Sequence, residues 1–548
     1  MPIARVSSNL PNGMKSYDYF TPPDALRGRP SLGLPFTYLS ASDINSLERT
    51  VKNLPQGAIC VEIGSYLGAS AIVIASNLAY GGKLYCVDIW RNDPVHDGLG
   101  PRDTYPEFLK NTVSLSEKIV AVRSTSSSAS AKLSMDIDFL FIDSDHSYDG
   151  CKSDVDMWLP KVKDGGIVAF HDVGWAEGVQ KVIRENVLPI QIGAAVIGSN
   201  TYTSRVTRFG PPWKTKAARS AHPFVVSKLA DPSGTFLAEI SRGLGDCPWS
   251  WVSAGLERRG CTEADPQRTE VLDAGAPGLV AGRHKALEEC RDDVIIYLDD
   301  DVILPAGWIE SIVEPFADPD IHFVGCRYLP DYEYDPPAWL EGLWQEDNDG
   351  FRVLPHLSLL DGGELSRCYR PSLVWGLCFA ARREMVVRLG GFNPDGYPWE
   401  LRRFRGDGET GLTLKAEMLG LKAFYQGKIH VNHRVPASRM TPQYFERRSF
   451  LQGISDSYTQ IRRDHAVPTA PRRSWKDLVR PAKRKLERDL ILRSPTVEGV
   501  RRLMARSHGA GMEFHRSEVC HDPSLLEWVL KQDYFDYRLP NVWERPPE

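Results

Sequence analysis

The run "VEIGSYLGAS", residues 61–70, goes from apolar residues with one glutamate among them to two glycines and then into small residues. Gly64 and Gly68 let the backbone turn tightly and approach a ligand at the end of a strand. Two glycines after a strand are often only a turn, and the spacing is not GxGxxG, which argues against a nicotinamide cofactor and a dehydrogenase. The flanking sequence has to decide.

Outward from this run the chain alternates short apolar segments with helix-like ones. "AICVEIG", "KLYCVDI", "IVAVRS", "IDFLFID" and "GGIVAFHD" fall between residues 58 and 172. Strands of this length, rich in Val and Ile and separated by helices, predict a parallel sheet covered on both faces. Ligands of such sheets collect at the carboxyl ends of the strands. The informative residues are therefore Glu62 and Gly64, Asp88, Ser124, Asp143, and His171 with Asp172.

The series resembles the class I S-adenosylmethionine-dependent methyltransferases, small-molecule O-methyltransferases in particular, from about residue 36 to 210. "VEIGSYLGASAIVIA", "YCVDIW" and "FIDSDHSYDGCKSDVDMWLPKVKDGGIVAFHDV" carry it, with "AAVIG" and "SRVTRFG" as the closing antiparallel hairpin. The resemblance implies a Rossmann-like domain in which Glu62, Gly64, Ser65 and Gly68 lie by the methionine moiety of the cofactor. Asp88 would hold the ribose, and Ser124, Thr125 and Ser126 would lie near the adenine. It further implies a divalent cation, with Mg²⁺ expected, held by Asp143, His171 and Asp172. His146 falls where some sugar O-methyltransferases carry a general base, and imidazole titrates close to working pH. The plainer reading is that Asp143, Asp145 and Asp149 cap a helix and His146 packs against it. Position between two matched strand ends favours the site.

At "RFGPPWKTKAARSAHP", residues 208–223, the pattern gives way to Pro and small or basic residues, the expected domain boundary. Beyond it "PFVVSKL" reads as a strand and "TFLAEISRGL" as an amphipathic helix. "VIIYLDDDVILPAGWIESIV" runs from buried strand through Asp299, Asp300 and Asp301 to a helix. Three adjacent carboxylates are costly to crowd together unless a cation neutralises them, although a solvated turn explains a bare triplet equally well.

Together with "GLCFAARREMVVRLGGFNPD" (376–395), "GDGETGLTLKAEMLGLKAFY" (406–425) and "HVNHRVPASRMTPQYFERRSFLQG" (430–453), this stretch resembles the inverting family 2 glycosyltransferases of GT-A fold. That implies a sugar-nucleotide donor, a UDP-sugar first among them, whose diphosphate sits on Mg²⁺ or Mn²⁺ held by Asp299, Asp301 and His433. Asp300 would complete the donor site and Asp231 is a candidate for the nucleobase pocket. Glu409 falls at the position of the catalytic base, with Asp407 as the alternative.

The expected architecture is α/β throughout. A methyltransferase domain over 1–212, a linker over 213–221 and a GT-A domain over 222–470 are followed by a helical extension over 471–548. The function it implies is sugar transfer and O-methylation in glycan or glycosylated natural-product biosynthesis, on a saccharide, lipid-linked glycan or natural-product acceptor. The alternative is a glycosyltransferase whose methyltransferase-like half only binds or scaffolds.

Length and composition agree with two domains. The chain has 548 residues, beyond the ~250–300 at which one core stops growing. A net charge of −5 offers no footing for a whole-chain nucleic-acid partner. Ten cysteines without a CxxC pair point to a reducing compartment. "MPIARVSSNLPNGMKSYDYF" lacks the apolar core of a signal peptide, and no stretch approaches the ~20 apolar residues of a membrane span. A cytoplasmic protein is expected. The basic segment 471–506, with 12 Lys or Arg against 4 Asp or Glu, leaves a peripheral contact with the inner face of the membrane open.

Overall fold

The computed structural model describes residues 34–35, 37–91, 102–197, 200–207, 224–228, 250–254, 269–272, 279–289, 292–299, 301–465, 481–535 and 539. The chain divides into two compact units, the first taking residues 1–217 with the short segments 418–420 and 462–466, the second the remainder. Asp231, Asp300, the helix expected over 235–244 and the linker lie outside the described residues.

The first unit is built on a seven-stranded sheet: β1 (Ile59–Ile63), β2 (Lys83–Asp88), β3 (Ile119–Arg123), β4 (Ile137–Ile142), β5 (Val162–Phe170), β6 (Gln191–Ile197) and β7 (Tyr202–Val206). Their spatial order is β3-β2-β1-β4-β5-β7-β6. β1 to β5 pair in parallel, while β7 runs antiparallel to both β5 and β6. All six residues of β4 are buried, as a central strand covered on both faces demands. Between the strands lie α1 (Ala41–Lys52), which precedes β1, then α2 (Ala69–Asn77), α3 (Tyr105–Thr112), α4 (Ser126–Lys132), α5 (Tyr148–Trp158) and α6 (Glu177–Val182). One core joins Leu47 and Val51 of α1 to Ile74 of α2, Cys60, Cys86, Phe139, Phe141 and Ala169 of the strands, and Trp90 and Phe108.

The strand order reverses between β1 and β4, because β1 connects outward to β2 and β4 continues the sheet on the other side. Gly64 at that crevice has φ +88°, and a Cβ there would sit 2.1 Å from the carbonyl oxygen of Asp143 at the end of β4. Only glycine lets the two strand ends approach so closely.

The second unit holds a mixed sheet of twelve strands among the described residues. Phe224–Lys228, Ser250–Ala254 and Thr269–Leu272 pair in parallel, Val294–Leu298 joins them in parallel, and Cys378–Arg382 then runs antiparallel to it. The short strand Val302–Ile303 pairs antiparallel with Asn432–His433 of the long strand Lys422–Val435. That pairing carries His433 to Asp301. The C-terminal part is helical: Pro442–Asp464, Pro481–Arg493, Val497–His521 and Pro523–Val529. Two of these helices cross at glycines, since a Cβ on Gly453 would meet the His508 carbonyl oxygen at 2.1 Å and one on Gly511 the Phe450 carbonyl oxygen at 2.0 Å. Ile491, Val500 and Leu503 of the later helices pack against Phe445 of the first helix and Trp339, Leu340 and Val435 of the sheet domain. Buried His284 ties the chain end to the same domain. Its Nδ1–H donates to the Tyr534 carbonyl at 3.0 Å while its Nε2 accepts from the Phe392 amide at 2.8 Å.

Candidate functional sites in the two domains

The carboxyl ends of β1, β2, β4 and β5 open into a cavity of about 740 Å³. Gly64, Ser65, Asp88, Ser124, Ser126, Asp143, His146, His171 and Asp172 all line it. Three residues other than glycine at its edge have left-handed backbone, Tyr66 (φ 42°), Trp90 (φ 50°) and Asp172 (φ 59°). Such strain concentrates where a site over-determines the chain.

Asp88 fastens two of these loops. One carboxylate oxygen accepts from the Ser65 and Tyr66 amides at 3.0 and 2.9 Å, and the other from the Trp90 amide at 2.6 Å. The Trp90 indole closes the link by donating to the Tyr66 carbonyl at 2.9 Å. Glu62 lies fully buried beneath, and neither of its oxygens has a hydrogen-bond partner. Loss of hydration pushes its carboxyl up to about 7, with Ser65, Ser70 and Cys86 close enough to pull it part of the way back. Ser126 donates to Asp154 and accepts from the Trp158 indole at 2.9 Å. Thr125 does not line the cavity and instead caps α4 by accepting from the Ser128 amide.

In the β4–α5 turn the helix is capped by Ser147, which accepts from the Gly150 amide at 3.1 Å, and Asp145 holds the turn by accepting from Ser147 N at 2.8 Å. Asp143 and His146 are thereby free of capping duty. Asp143, His146 and Asp172 each bring one ligand atom to within 4.8 Å of the others. His171 stands behind them rather than in the expected metal set. It is buried, with Nδ1 3.1 Å from Asp143 and 3.3 Å from Asp172, and Nε2 3.5 Å from Asp43 and 3.2 Å from Asn200. Burial alone would depress its pKa, yet the Asp143 and Asp172 carboxylates raise it well above the ordinary imidazole value.

His146 Nε2 lies 2.7 Å from Asp172 Oδ2, a bond that raises the imidazole's pKa. Burial works to raise Asp172, and His171 and His146 outweigh it, holding the carboxyl well below the usual range. The other oxygen of Asp172 accepts from the Trp175 indole at 2.7 Å and from Asn200 Nδ2 at 2.9 Å. Two carboxylates and an imidazole fit a hard divalent cation by type. As they stand, however, the four lone-pair positions of Asp172 already face His146, His171, Trp175 and Asn200. Trp175, Asn200 and Asp43 were not legible as site residues, since each is a single polar or aromatic residue in a loop or helix that ends none of the parallel apolar runs.

In the second unit Asp299 and Asp301 diverge. Asp301 lies 2.7 Å from Arg439 Nη2 and 3.3 Å from His433 Nε2. His433 Nδ1–H donates to the Leu357 carbonyl at 2.8 Å, and its Nε2 lies 2.9 Å from Arg439 Nη1 as well as beside Asp301. Burial tends to raise the Asp301 carboxyl, but His433 and Arg439 bring it down to about 2. Asp299, with a third of its side chain still reaching solvent (33%), is pushed up to about 7 by loss of hydration, with Arg283 opposing. Among the described residues these three do not form a second metal-capable group.

Arg283, 4% exposed, lies between Asp299 (3.7 Å) and Glu409 (3.3 Å) and donates to the Gly376 carbonyl at 3.0 Å. The Gly376 amide donates to the other Glu409 oxygen at 3.1 Å. Asp407 faces away from this group: its oxygens accept from Asn393 Nδ2 at 2.7 Å and Thr459 Oγ1 at 2.6 Å. Arg283 and Arg439 escaped the sequence reading because charged residues on long helices and loops are common, and nothing in the spacing singled these two out.

Comparison with known proteins agrees with both halves. Residues 61–173 match the family profile described as "Methyltransferase domain", and residues 261–385 that described as "Glycosyl transferase family 2". The pre-mycofactocin glycosyltransferase of Mycobacterium tuberculosis is 31% identical over 120 residues, 21% of this chain and 23% of that protein. The glucosyl-dolichyl phosphate glucuronosyltransferase of Haloferax volcanii is 25% identical over 186 residues, 32% of this chain and 54% of that protein. The chain thus spans about a quarter to a half of the length of these curated relatives. Among solved structures, the O-methyltransferase from Bacillus cereus is 18% identical with a TM-score of 0.26, covering 32% of this chain and 86% of that one. The O-methyltransferase TomG from Streptomyces achromogenes is 17% identical with a TM-score of 0.25, covering 32% and 84%. The chain thus carries one region that matches a methyltransferase domain, built on a Rossmann-like α/β sheet, and a second that matches a family 2 glycosyltransferase domain. Among the described residues no helix is long and apolar enough to cross a membrane.

Proposed function

We propose that both domains are active and work on one product, the first O-methylating with S-adenosylmethionine and the second adding a sugar from a sugar nucleotide, as in glycan or glycosylated natural-product biosynthesis. The methyltransferase activity would reside in residues 1–212 and the glycosyltransferase in 222–470, with 213–221 as linker and 471–548 as helical extension. The observation that carries this reading is the cavity at the strand ends, where the Asp88-fastened loop and the Asp143, His146 and Asp172 group share one space. A cofactor and an acceptor hydroxyl can meet there.

Glu62, Gly64, Ser65, Gly68 and Asp88 would hold the methionine and ribose parts, with Ser124 and Ser126 towards the adenine. Thr125 would act only through the helix it caps. His146 takes the proton of the attacking hydroxyl, and Asp172 orients its ring through Nε2 as the acid of a His–Asp pair does. Asp143, His146 and Asp172 would hold Mg²⁺, which when bound neutralises charge on the ionising hydroxyl. A cation there takes the place of the proton that Nε2 shares with Asp172, so His146 is a base only without it. The four donors on Asp172 favour the base. Methyl transfer at full rate in EDTA supports that assignment, and loss of transfer restored by Mg²⁺ replaces it with the cation.

In the second domain Asp301 and His433, with Asp299 two residues before Asp301, would bind the donor's diphosphate through Mg²⁺ or Mn²⁺. Arg439, already on Asp301 and His433, is placed to meet a phosphate. Glu409 is the base of an inverting transfer: both carboxylates are hydrogen-bonded, but the partners of Glu409, Arg283 and the Gly376 amide, set it beside Asp299, whereas those of Asp407 are Asn393 and Thr459. A UDP-sugar is the leading donor, and a saccharide, lipid-linked glycan or natural product the acceptor. The reading is tested by calorimetric titration of the full chain with S-adenosylmethionine and with a panel of sugar nucleotides plus Mn²⁺. One ligand of each class should bind, and absence of S-adenosylmethionine binding would leave the first domain a scaffold.

A further inference from the structure

We infer that Trp175 is a stacking platform for a sugar ring, so that the methyl acceptor of the first domain is a saccharide. This rests on the reading of that domain as an S-adenosylmethionine-dependent methyltransferase. Trp175 lines the cavity and is nevertheless 53% exposed, an unusual cost for the largest aromatic side chain. It is not loose: the indole Nε1–H donates to Asp172 Oδ1 at 2.7 Å, which fixes one edge of the ring, and its centroid lies 5.1 Å from the His146 ring with the planes at 60°. The ring is thus pinned beside the group assigned to the acceptor hydroxyl, with much of its surface open.

The shape of this arrangement selects the ligand class. A pyranose has apolar C–H faces and a rim of hydroxyls, so it can lie on one aromatic face while its rim donates to carboxylate and imidazole acceptors. Asp143 and His146 stand beside the pinned edge of Trp175 to meet that rim, while Asp172, its lone pairs already engaged, holds the indole and the imidazole in place. A planar aromatic acceptor instead gains most when sandwiched between two apolar walls. Trp90 cannot supply the second wall, since it is only 1% exposed and its indole is turned to the Tyr66 carbonyl, which leaves Tyr38 and Tyr66 as the rings a planar acceptor would need opposite Trp175, an arrangement the catechol arm below tests.

The test uses the full chain saturated with S-adenosylhomocysteine and saturation-transfer NMR of the methyl glycosides of glucose, mannose, galactose and rhamnose, with catechol as the planar contrast. At least one glycoside should bind, through the C–H protons of one ring face. Trp175→Leu should weaken that glycoside roughly tenfold through loss of the aromatic face, and Trp175→Phe, which keeps a face and loses the Nε1–H, by about threefold or less. S-adenosylhomocysteine affinity should be unchanged in both variants, which also reports that they fold. Unaltered glycoside binding by Trp175→Leu, or catechol binding more tightly than every glycoside, overturns the inference. If the unsubstituted protein fails to bind S-adenosylhomocysteine, the methyltransferase reading falls and takes the platform with it. Cofactor binding without any glycoside binding removes the platform alone.

Discussion

Glu62 is buried without a hydrogen-bond partner, and its carboxyl is pushed up to about 7 from an ordinary value near 4.5. Between those two values the folded protein holds a proton that the unfolded chain has lost, so this residue's contribution to stability falls as pH rises through that window. For the first domain the loss is on the order of 3 kcal/mol. Calorimetric melting from pH 4.5 to 8 should show it, and Glu62→Gln should flatten that part of the profile; an unchanged profile in the variant would place the titration elsewhere. In the second domain Glu409→Gln should lower sugar transfer by ~10² to 10⁴ with donor affinity retained, since it removes a proton acceptor and leaves Asp301 and His433 in place. Asp407→Asn should cost about 1–3 kcal/mol in the melting of that domain, because one of the Asn393 and Thr459 donors would face an NH₂ group, with turnover near normal. Steady-state rates that reverse the two effects would move the base to Asp407.

At the scale of elements, the close approach of β1 to β4 holds the first site together. Gly64→Ala would place a methyl group 2.1 Å from the Asp143 carbonyl oxygen on a backbone at φ +88°. The two strand ends would have to separate, moving Ser65 and Asp143 apart. A drop in S-adenosylmethionine affinity of tenfold or more is expected by titration, with destabilisation of roughly 1–3 kcal/mol from the backbone strain alone. The parallel strands were legible in the sequence because a strand buried on both faces is written as an unbroken apolar run, and the residue that ends it lies at the ligand edge. This located Asp88, Asp143 and Asp172 near one cavity. What the runs could not convey was direction: after β5 both His171 and Asp172 were expected as ligands, but the left-handed turn at Asp172 sends its carboxylate to His146 while His171 is buried behind. Partners delivered by tertiary contact, such as Asn200 to Asp172 and Arg283 to Glu409, carry no local pattern at all.

Across the whole molecule, two active domains would keep their chemistries in separate sheets. Asp301 and His433 belong to the second sheet, and His146 and Asp172 to the first, so damage at one should not reach the other. The most direct measurement assays both activities on one preparation of the full chain: radiolabelled methyl transfer from S-adenosylmethionine to saccharide acceptors, and sugar transfer or metal-dependent hydrolysis of the sugar nucleotide that binds. These are compared among the unsubstituted protein, His146→Ala and Asp301→Ala. The account predicts that His146→Ala loses methyl transfer and keeps sugar-nucleotide turnover, while Asp301→Ala does the reverse. Equal loss of both activities in either folded variant, or methyl transfer undiminished in His146→Ala, would contradict it.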